Sequence, residues 1–272
     1  MRLLLLLICL QTGAALAAPR VVTSIAPLQE LVAAVMTDVA IPQVIIPATA
    51  SAHHFALRPS HMQSLQQADL VIWIDRRFEA GFQRISQVLP ATTEQLELLH
   101  ELGLDSADGH IWYSEPLLQQ VIRLVSARLM ALDPDNQASY RANAARLSAA
   151  LSAWRADSMA QLQGRQPRFI TDHDFLRHMQ DDLGFAAIAN IHDQHDDHAG
   201  LRELGEIEQR LREQNANCLL TLESPAAPLA LELARKYRLE IINLTPPVSK
   251  KTQPSPLVGR LQRLTDALLE CS

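Results

Sequence analysis

The chain has 272 residues, of which 48% are hydrophobic, 20% charged and 4% aromatic. This length and composition can bury a sizeable core, which excludes a disordered tail and a disulfide-stapled miniprotein. The 24 Lys and Arg residues against 30 Asp and Glu give a formal net charge of −6 without a basic run, so nucleic acid is not an expected partner.

The first 18 residues have the form of a secretory signal peptide. A positive charge at Arg2 precedes an apolar run over residues 3–10, and small residues follow up to the expected cleavage after Ala17 or Ala18. The run is shorter than the roughly 20 apolar residues that span a membrane. Cys9 lacks the preceding small residues of a lipid-modified cysteine, so no lipid anchor is expected. The mature protein is therefore predicted to be exported.

Short β-branched apolar runs alternate with longer amphipathic runs along the mature chain, which is typical of an α/β fold. Strands are predicted at residues 20–24, 43–47, 69–74, 168–171, 185–191, 217–222 and 240–244. Helices are predicted at residues 27–37, 60–67, 115–132, 175–183, 201–214, 225–237 and 255–269. The elements form two groups, which predicts an N-terminal α/β lobe over residues 19–132 and a C-terminal α/β lobe over residues 165–272.

The segment between these lobes, residues 133–164, predicts one long linking helix. Asp133 suits the N-cap, Pro134 the first helical position and Gly164 the C-terminal exit. At 1.5 Å per residue such a helix is about 45 Å long and resists a large hinge opening between the lobes.

The two cysteines of the mature chain, Cys218 and Cys271, are predicted to form a disulfide, because an exported protein folds in an oxidising compartment. The alternative is two separately buried thiols. Neither cysteine belongs to a CxxC pair, which argues against a redox or zinc-thiolate role.

Three histidines, His53, His110 and His173, stand just after a predicted strand or just before a predicted helix. Ligands of open α/β sheets bind outside the carboxyl ends of the strands, so residues of both lobes can meet across one cleft. Neutral imidazoles from separate loops make a zinc-type site, and the neighbouring carboxylates Asp108, Asp172 and Asp174 are at hand to fix their tautomers. The alternative on the residues alone is a set of scattered surface or core histidines.

The motifs around these histidines resemble those of the periplasmic zinc-binding proteins of ABC importers, the ZnuA-like group of cluster A-I solute-binding proteins. The run HHFALRPS at 53–60, followed by ADLV at 68–71, resembles the first ligand motif of the family. The run HIWYSEP at 110–116 resembles the second, and HDF at 173–175 the third. The resemblance covers essentially the whole mature chain.

This resemblance implies two α/β lobes joined by one rigid helix, with the metal site in the cleft between them. It implies that His53, His110 and His173 are the metal ligands, with slippage from His53 to His54 left open. The implied function is capture of Zn²⁺ as a transported ligand in the periplasm and its delivery to the membrane permease of a zinc ABC importer, by a monomeric protein that is not an enzyme. Zinc-type members also carry a disulfide where Cys218 and Cys271 stand.

Comparison with manganese-type members bears on the choice of metal. They have a glutamate in place of His173 and an aspartate in a late turn, where Thr245 stands here before Pro246. Three imidazole ligands, with neither of these carboxylates, favour zinc over manganese. The fourth ligand is left open between water, His54 and a carboxylate. Glu223 is expected either to hydrogen-bond a liganding imidazole or to cap the following helix.

Several alternatives remain at this level. The acidic stretch that contains His192, His195 and His198 is either a secondary zinc site or a solvated loop. The rival functions are a manganese or iron solute-binding protein, a zinc buffer that feeds no transporter, and a secreted zinc-dependent hydrolase, which needs a general base in a substrate-sized cleft. The remaining histidines of helical or linker stretches are predicted to be surface or packing residues: His61, His100 and His178.

Overall fold

The first lobe is organised by a sheet of four parallel strands. In the computed structural model, which describes residues 17–48, 50, 55, 57–104, 108–192, 201–222, 226–245 and 256–272, these strands lie in the order β2-β1-β3-β4. They are β1 (Val21–Ile25), β2 (Gln43–Ile46), β3 (Leu70–Trp73) and β4 (Glu94–Glu97). The helices of this part of the chain are α1 (Ala26–Val35), α2 (Pro59–Gln66), α3 (Ala80–Ser86), α4 (Leu98–Glu101) and α5 (Glu115–Leu132). β1 and β3 are buried along their whole length, as expected for parallel strands covered on both faces.

The second lobe repeats the same strand order, β6-β5-β7-β8, again with every pair parallel. Its strands are β5 (Phe169–His173), β6 (Asn190–His192), β7 (Cys218–Thr221) and β8 (Glu240–Asn243). The helices that follow the linking helix are α7 (Arg177–Leu183), α8 (Leu201–Gln214), α9 (Pro228–Tyr237) and α10 (Pro256–Glu270). The two sheets confirm the predicted α/β fold with two lobes.

The chain passes from one lobe to the other through α6 (Gln137–Leu162), a helix of 26 residues that is about 39 Å long. A 3-10 turn, Pro134–Asn136, precedes it. Asp133 is the N-cap residue of this turn and Pro134 its first residue, as predicted, but the Asp133 carboxylate makes no capping hydrogen bond and accepts instead from Tyr140 Oη at 2.7 Å and Asn136 Nδ2 at 2.8 Å. Gly164 has a φ of +74°, the left-handed conformation that suits a helix exit.

The last helix, α10, connects the two lobes a second time. It packs against α6 and α1, and its buried leucines, Leu257, Leu261 and Leu264, belong to the same hydrophobic core as the first sheet. Within this contact, Arg260 donates to both carboxylate oxygens of Glu30 on α1, at 2.6 and 3.0 Å. A separate, smaller core lies on the other side of the second sheet.

The predicted disulfide between Cys218 and Cys271 is confirmed, with the Cα atoms 5.6 Å apart. It joins β7 to the residue that follows α10. Its sequence separation of 53 residues corresponds to a stabilisation of about 4 kcal/mol through chain entropy. Among the described residues, no helix combines the length and the apolar character needed to cross a membrane.

Candidate metal centre

His110 is a buried residue of the first lobe whose ring is oriented by a carboxylate. It stands two residues after Asp108, in the turn that leads into the 3-10 segment Ile111–Tyr113 and α5. Asp108 Oδ1 lies 2.6 Å from His110 Nδ1 and also accepts from the His110 backbone N–H at 3.1 Å. This contact keeps the ring proton on Nδ1 and leaves the Nε2 lone pair available to a ligand.

Aromatic side chains hold the same ring from several sides. The ring centroids of Phe78 and Trp112 are each 5.0 Å from that of His110. A Cβ atom on Gly109 would lie 2.3 Å from the Phe78 ring, so only glycine lets the backbone pass this close to the aromatic face. The His110 ring is therefore fixed in position as well as in tautomer.

His173 is the matching residue of the second lobe, at the carboxyl end of β5. Its Nδ1 lies 3.0 Å from Asp172 Oδ1, which also accepts from the His173 backbone N–H at 2.9 Å. The other oxygen of Asp172 accepts from the Thr221 hydroxyl and, at 3.3 Å, from the Leu222 backbone N–H. Because Thr221 ends the neighbouring strand β7, both strands support one imidazole at the edge where α/β sheets bind ligands.

The two imidazoles meet between the lobes. His110 Nε2 lies 3.3 Å from His173 Nε2, although the residues are 63 positions apart in the chain. With each Nδ1 directed to an aspartate, the two Nε2 atoms face one another, which is the arrangement of two imidazoles that share one cation. Two nitrogens bound tetrahedrally to one zinc ion at about 2.0–2.1 Å stand roughly 3.3–3.4 Å apart. The observed separation of 3.3 Å fits this distance.

Burial and charge keep the parts of this pair in the protonation states that metal binding needs. Burial lowers the pKa of His110 below its ordinary value, against the opposing charge of Asp108, which favours the neutral imidazole. Burial acts to raise the pKa of Asp108, but the charge and hydrogen bonds of His110 outweigh it and the pKa is lowered. For Asp172, the hydrogen bond and charge of His173 and the hydrogen bond of Thr221 likewise outweigh burial, and the pKa is lowered.

The structure describes only some of the other predicted site residues. Those that lie outside the described ranges are His53, His54, Glu223, His195 and His198. Within the described ranges, no set of three or more His, Cys, Asp or Glu side chains is arranged to hold a metal ion.

His192, predicted as part of a separate histidine cluster, lies beside His173. It ends β6 in direct register with His173 on β5, so the cluster begins at the edge of the second sheet that carries His173. Thr245, predicted to stand where manganese-type members have an aspartate, donates its hydroxyl proton to the Leu222 carbonyl at 2.6 Å. The side chain of Thr245 thus holds the carboxyl end of β8 against the chain that leaves β7.

Two contributors to the site escape sequence reasoning. Thr221 ends an apolar strand, and nothing in the local sequence marks it as part of a site. The pairing of β5 with β7 brings its hydroxyl to Asp172. His178 was predicted to be a surface or packing residue, yet its Nε2 lies 2.7 Å from the Asp108 carbonyl oxygen in the other lobe. The carboxylates Asp108 and Asp172, in contrast, were recognisable from their place next to a histidine.

Comparison with known proteins connects this geometry to a family. The family described as ZnuA, zinc-uptake complex component A, periplasmic, matches residues 21–271. The high-affinity zinc uptake system protein ZnuA of Yersinia pestis is 27% identical over 239 residues, which is 75% of each chain. The iron-binding protein YfeA of Yersinia pestis is 25% identical over 180 residues, 62% of this chain and 58% of its own. A crystal structure of ZnuA shares the fold with a TM-score of 0.81 at 20% identity, over 93% of this chain and 99% of that one. The resemblance seen in the three histidine motifs is thereby confirmed, and the chain belongs to the ZnuA family of periplasmic metal-binding components of uptake systems.

Proposed function

We propose that this protein captures a zinc ion in the periplasm and delivers it to the membrane permease of an ABC importer. The observation that carries the proposal is the pair of imidazoles from opposite lobes, with Nε2 atoms 3.3 Å apart and each Nδ1 held by a buried aspartate. An ion in the cleft between the lobes is cargo, so the site has to hold it without reacting with it. Membership of a family of metal-binding transport components supports this role.

In this proposal His53, His110 and His173 each provide one neutral nitrogen to the zinc ion. His110 and His173 enter through the geometry described above, and His53 through its place in the first family motif. A fourth position is then taken by water, by His54 or by a carboxylate, and Glu223 serves to hold one of the liganding rings. His192 stands next to His173 and belongs with His195 and His198 to a stretch proposed to gather zinc near the cleft.

Zinc is preferred over manganese because the two described ligand candidates are imidazoles whose carboxylate neighbours are already engaged. Asp108 and Asp172 are directed to the Nδ1 atoms, away from the Nε2 pair. Manganese prefers carboxylate and water oxygens, whereas imidazole suits zinc and iron. The relative described as an iron-binding protein makes iron the second candidate cargo.

The rival role of a zinc hydrolase needs a free general base close to the ion. Asp174, the carboxylate that follows His173, is buried and accepts from the Arg177 guanidinium at 2.6 and 2.9 Å. Asp108 and Asp172 orient the imidazoles. These three acids are therefore committed to other groups, which favours binding over hydrolysis.

The test is metal binding by the mature protein and by His53→Ala, His110→Ala and His173→Ala, followed by native mass spectrometry and chelator competition. The wild type is expected to hold one tight zinc ion in preference to manganese and iron(II), and each variant to bind it at least about 100-fold more weakly. His100→Ala, at an exposed position on α4, is the matched control and should bind as the wild type does. Retention of one tight zinc ion by all three variants would refute the site.

Delivery is a separate claim and needs a separate measurement. Reconstituted permease and ATPase should import zinc only when this protein is supplied, and the His110→Ala variant should not support import. A protein that binds zinc tightly but never stimulates uptake is the zinc buffer of the alternative interpretation.

A further inference from the structure

A histidine of the second lobe is hydrogen-bonded across the cleft to the turn that carries His110. His178, half-buried on α7, has its Nε2 2.7 Å from the Asp108 carbonyl oxygen. Because a carbonyl oxygen only accepts, His178 Nε2 is the protonated nitrogen and donates. The bond joins residues 70 positions apart and belonging to different lobes.

The residue that His178 holds is the one that orients His110. Asp108 accepts from His178 through its backbone carbonyl, while its Oδ1 accepts from the backbone N–H and the ring Nδ1 of His110. Its Oδ2 is buried and has no hydrogen-bond partner among the described residues. The carbonyl bond is thus the contact through which the opposite lobe fixes this aspartate.

His178 and His173 lie on one short segment of the second lobe, since α7 begins four residues after His173. The short segment between them contains Phe175, whose ring centroid is 5.8 Å from that of Tyr113 and 6.3 Å from that of His110. One segment of the second lobe therefore contacts the His110 turn at three points: ring to ring at His173, aromatic packing at Phe175 and a hydrogen bond at His178.

We propose that His178 is a positioning residue for metal capture. Its hydrogen bond docks the Asp108–His110 turn against the second lobe, so that His110 Nε2 stands beside His173 Nε2 when an ion arrives. The inference rests on the proposed function, because it assigns His178 a role at the same site. A site organised in this way does not have to spend binding free energy on ordering the turn, and loss of the bond should act mainly on the rate at which the ion leaves.

The test compares His178→Leu, which removes the donor at similar volume, with His178→Gln, whose side-chain amide reaches a similar distance and can donate. At 25 °C, zinc affinity is measured by chelator competition and zinc release by stopped flow. The visible spectrum of bound Co²⁺ reports the ligand geometry. His178→Leu should bind zinc about 10–100-fold more weakly, with faster release and an altered Co²⁺ spectrum, and His178→Gln should stay close to the wild type.

Two further variants make the outcome decisive. His100→Leu, the same change at an exposed histidine, should leave affinity, release and spectrum unchanged. His178→Asn, whose amide is too short to reach the Asp108 carbonyl, should behave as His178→Leu and replaces it if the leucine variant does not fold. This inference is overturned if His178→Leu and His178→Asn both show the zinc affinity, zinc release and Co²⁺ spectrum of the wild type while His110→Ala binds zinc much more weakly. The proposed function then still stands. Tight zinc binding retained by His53→Ala, His110→Ala and His173→Ala alike would overturn both.

Discussion

At the scale of single residues, the site depends on two aspartates that orient its histidines, each holding Nδ1 so that Nε2 faces the opposite lobe. Asp108→Asn keeps the size of the side chain but removes the charge that favours a proton on His110 Nδ1. Zinc affinity is expected to fall about 10–100-fold, because the orienting partners of metal-bound histidines typically have that effect. Isothermal titration with a competing chelator measures the change. Asp181→Asn, an exposed carboxylate on α7, serves as the control, and equal affinity in the two variants would contradict the role given to Asp108.

A buried acid elsewhere in the first lobe predicts a pH dependence of stability. Glu79 has no exposed surface, and burial raises its pKa from 4.5 to about 8, although its Oε2 accepts from the Ile74 backbone N–H at 2.8 Å. The folded protein therefore keeps a proton between pH 4.5 and 8 that the unfolded chain releases. In this window the contribution of Glu79 to the free energy of unfolding falls as the pH rises, by on the order of a few kcal/mol in total.

Glu79→Gln replaces the acid by a neutral side chain of the same shape and should remove this dependence. Urea unfolding at pH 5, 6, 7 and 8 is the measurement, and the difference between variant and wild type cancels the titration of the histidines. The variant should gain stability relative to the wild type steadily from pH 5 to 8. Glu240→Gln, at an exposed position, should show no such trend. A difference that stays constant with pH would mean that Glu79 is ionised in the folded protein.

At the scale of elements, sequence patterns predict helices and strands where local chemistry decides them. α5 and α8 begin and end at the predicted residues, and Ser114 Oγ accepts from the Leu117 backbone N–H at the start of α5. β4 was not predicted, because Glu94–Glu97 has a single fully buried side chain, Leu96, and becomes a strand by pairing with β3. The strand predicted at residues 185–191 is wrong over most of its length, since only Asn190–His192 forms β6.

The same limit applies to the site. The motifs place His110 and His173 at the ends of elements, and their neighbours Asp108 and Asp172 beside them. The contact between the two rings depends on how the lobes face each other. That orientation comes from the packing of α6 and α10 on α1, through residues scattered along more than 200 positions of the chain. For this reason the hydrogen bond between His178 and Asp108 could not be predicted, because the sequence around each residue gives no sign of the other.

The packing of α10 on the first lobe leads to a prediction about the buried ion pair within it. The Arg260 side chain is 4% exposed, and its salt-bridge partner Glu30 is 11% exposed. Glu30→Gln leaves a buried guanidinium without its countercharge and should lower the free energy of unfolding by about 3–5 kcal/mol. The double change Glu30→Leu with Arg260→Leu should cost less than Glu30→Gln alone, because no buried charge remains. Urea denaturation measures both, with Glu270→Gln at an exposed position as control. A loss below about 1 kcal/mol in Glu30→Gln would show that the charge is compensated by other groups.

At the scale of the whole molecule, three kinds of connection hold the lobes in one arrangement. α6 passes between them, α10 returns from the second lobe to pack on the first, and one hydrophobic core includes residues of both. The disulfide then ties the end of α10 to β7, whose last residue, Thr221, supports Asp172 and through it His173. The lobes of this protein are thus joined by packed helices, which favours small adjustments at the cleft over wide hinge opening.

This arrangement predicts that zinc changes the shape of the molecule very little. Small-angle X-ray scattering of residues 19–272, with zinc and after treatment with a chelator, should give radii of gyration of about 18 Å that differ by less than about 1 Å. The Glu30→Gln variant is the informative comparison, because weakening the contact of α10 with α1 should let the lobes separate in the chelator-treated sample and be drawn together by zinc. A change of several ångströms in the wild type would show that the lobes close around the ion as a hinge, and that α6 and α10 do not fix their orientation.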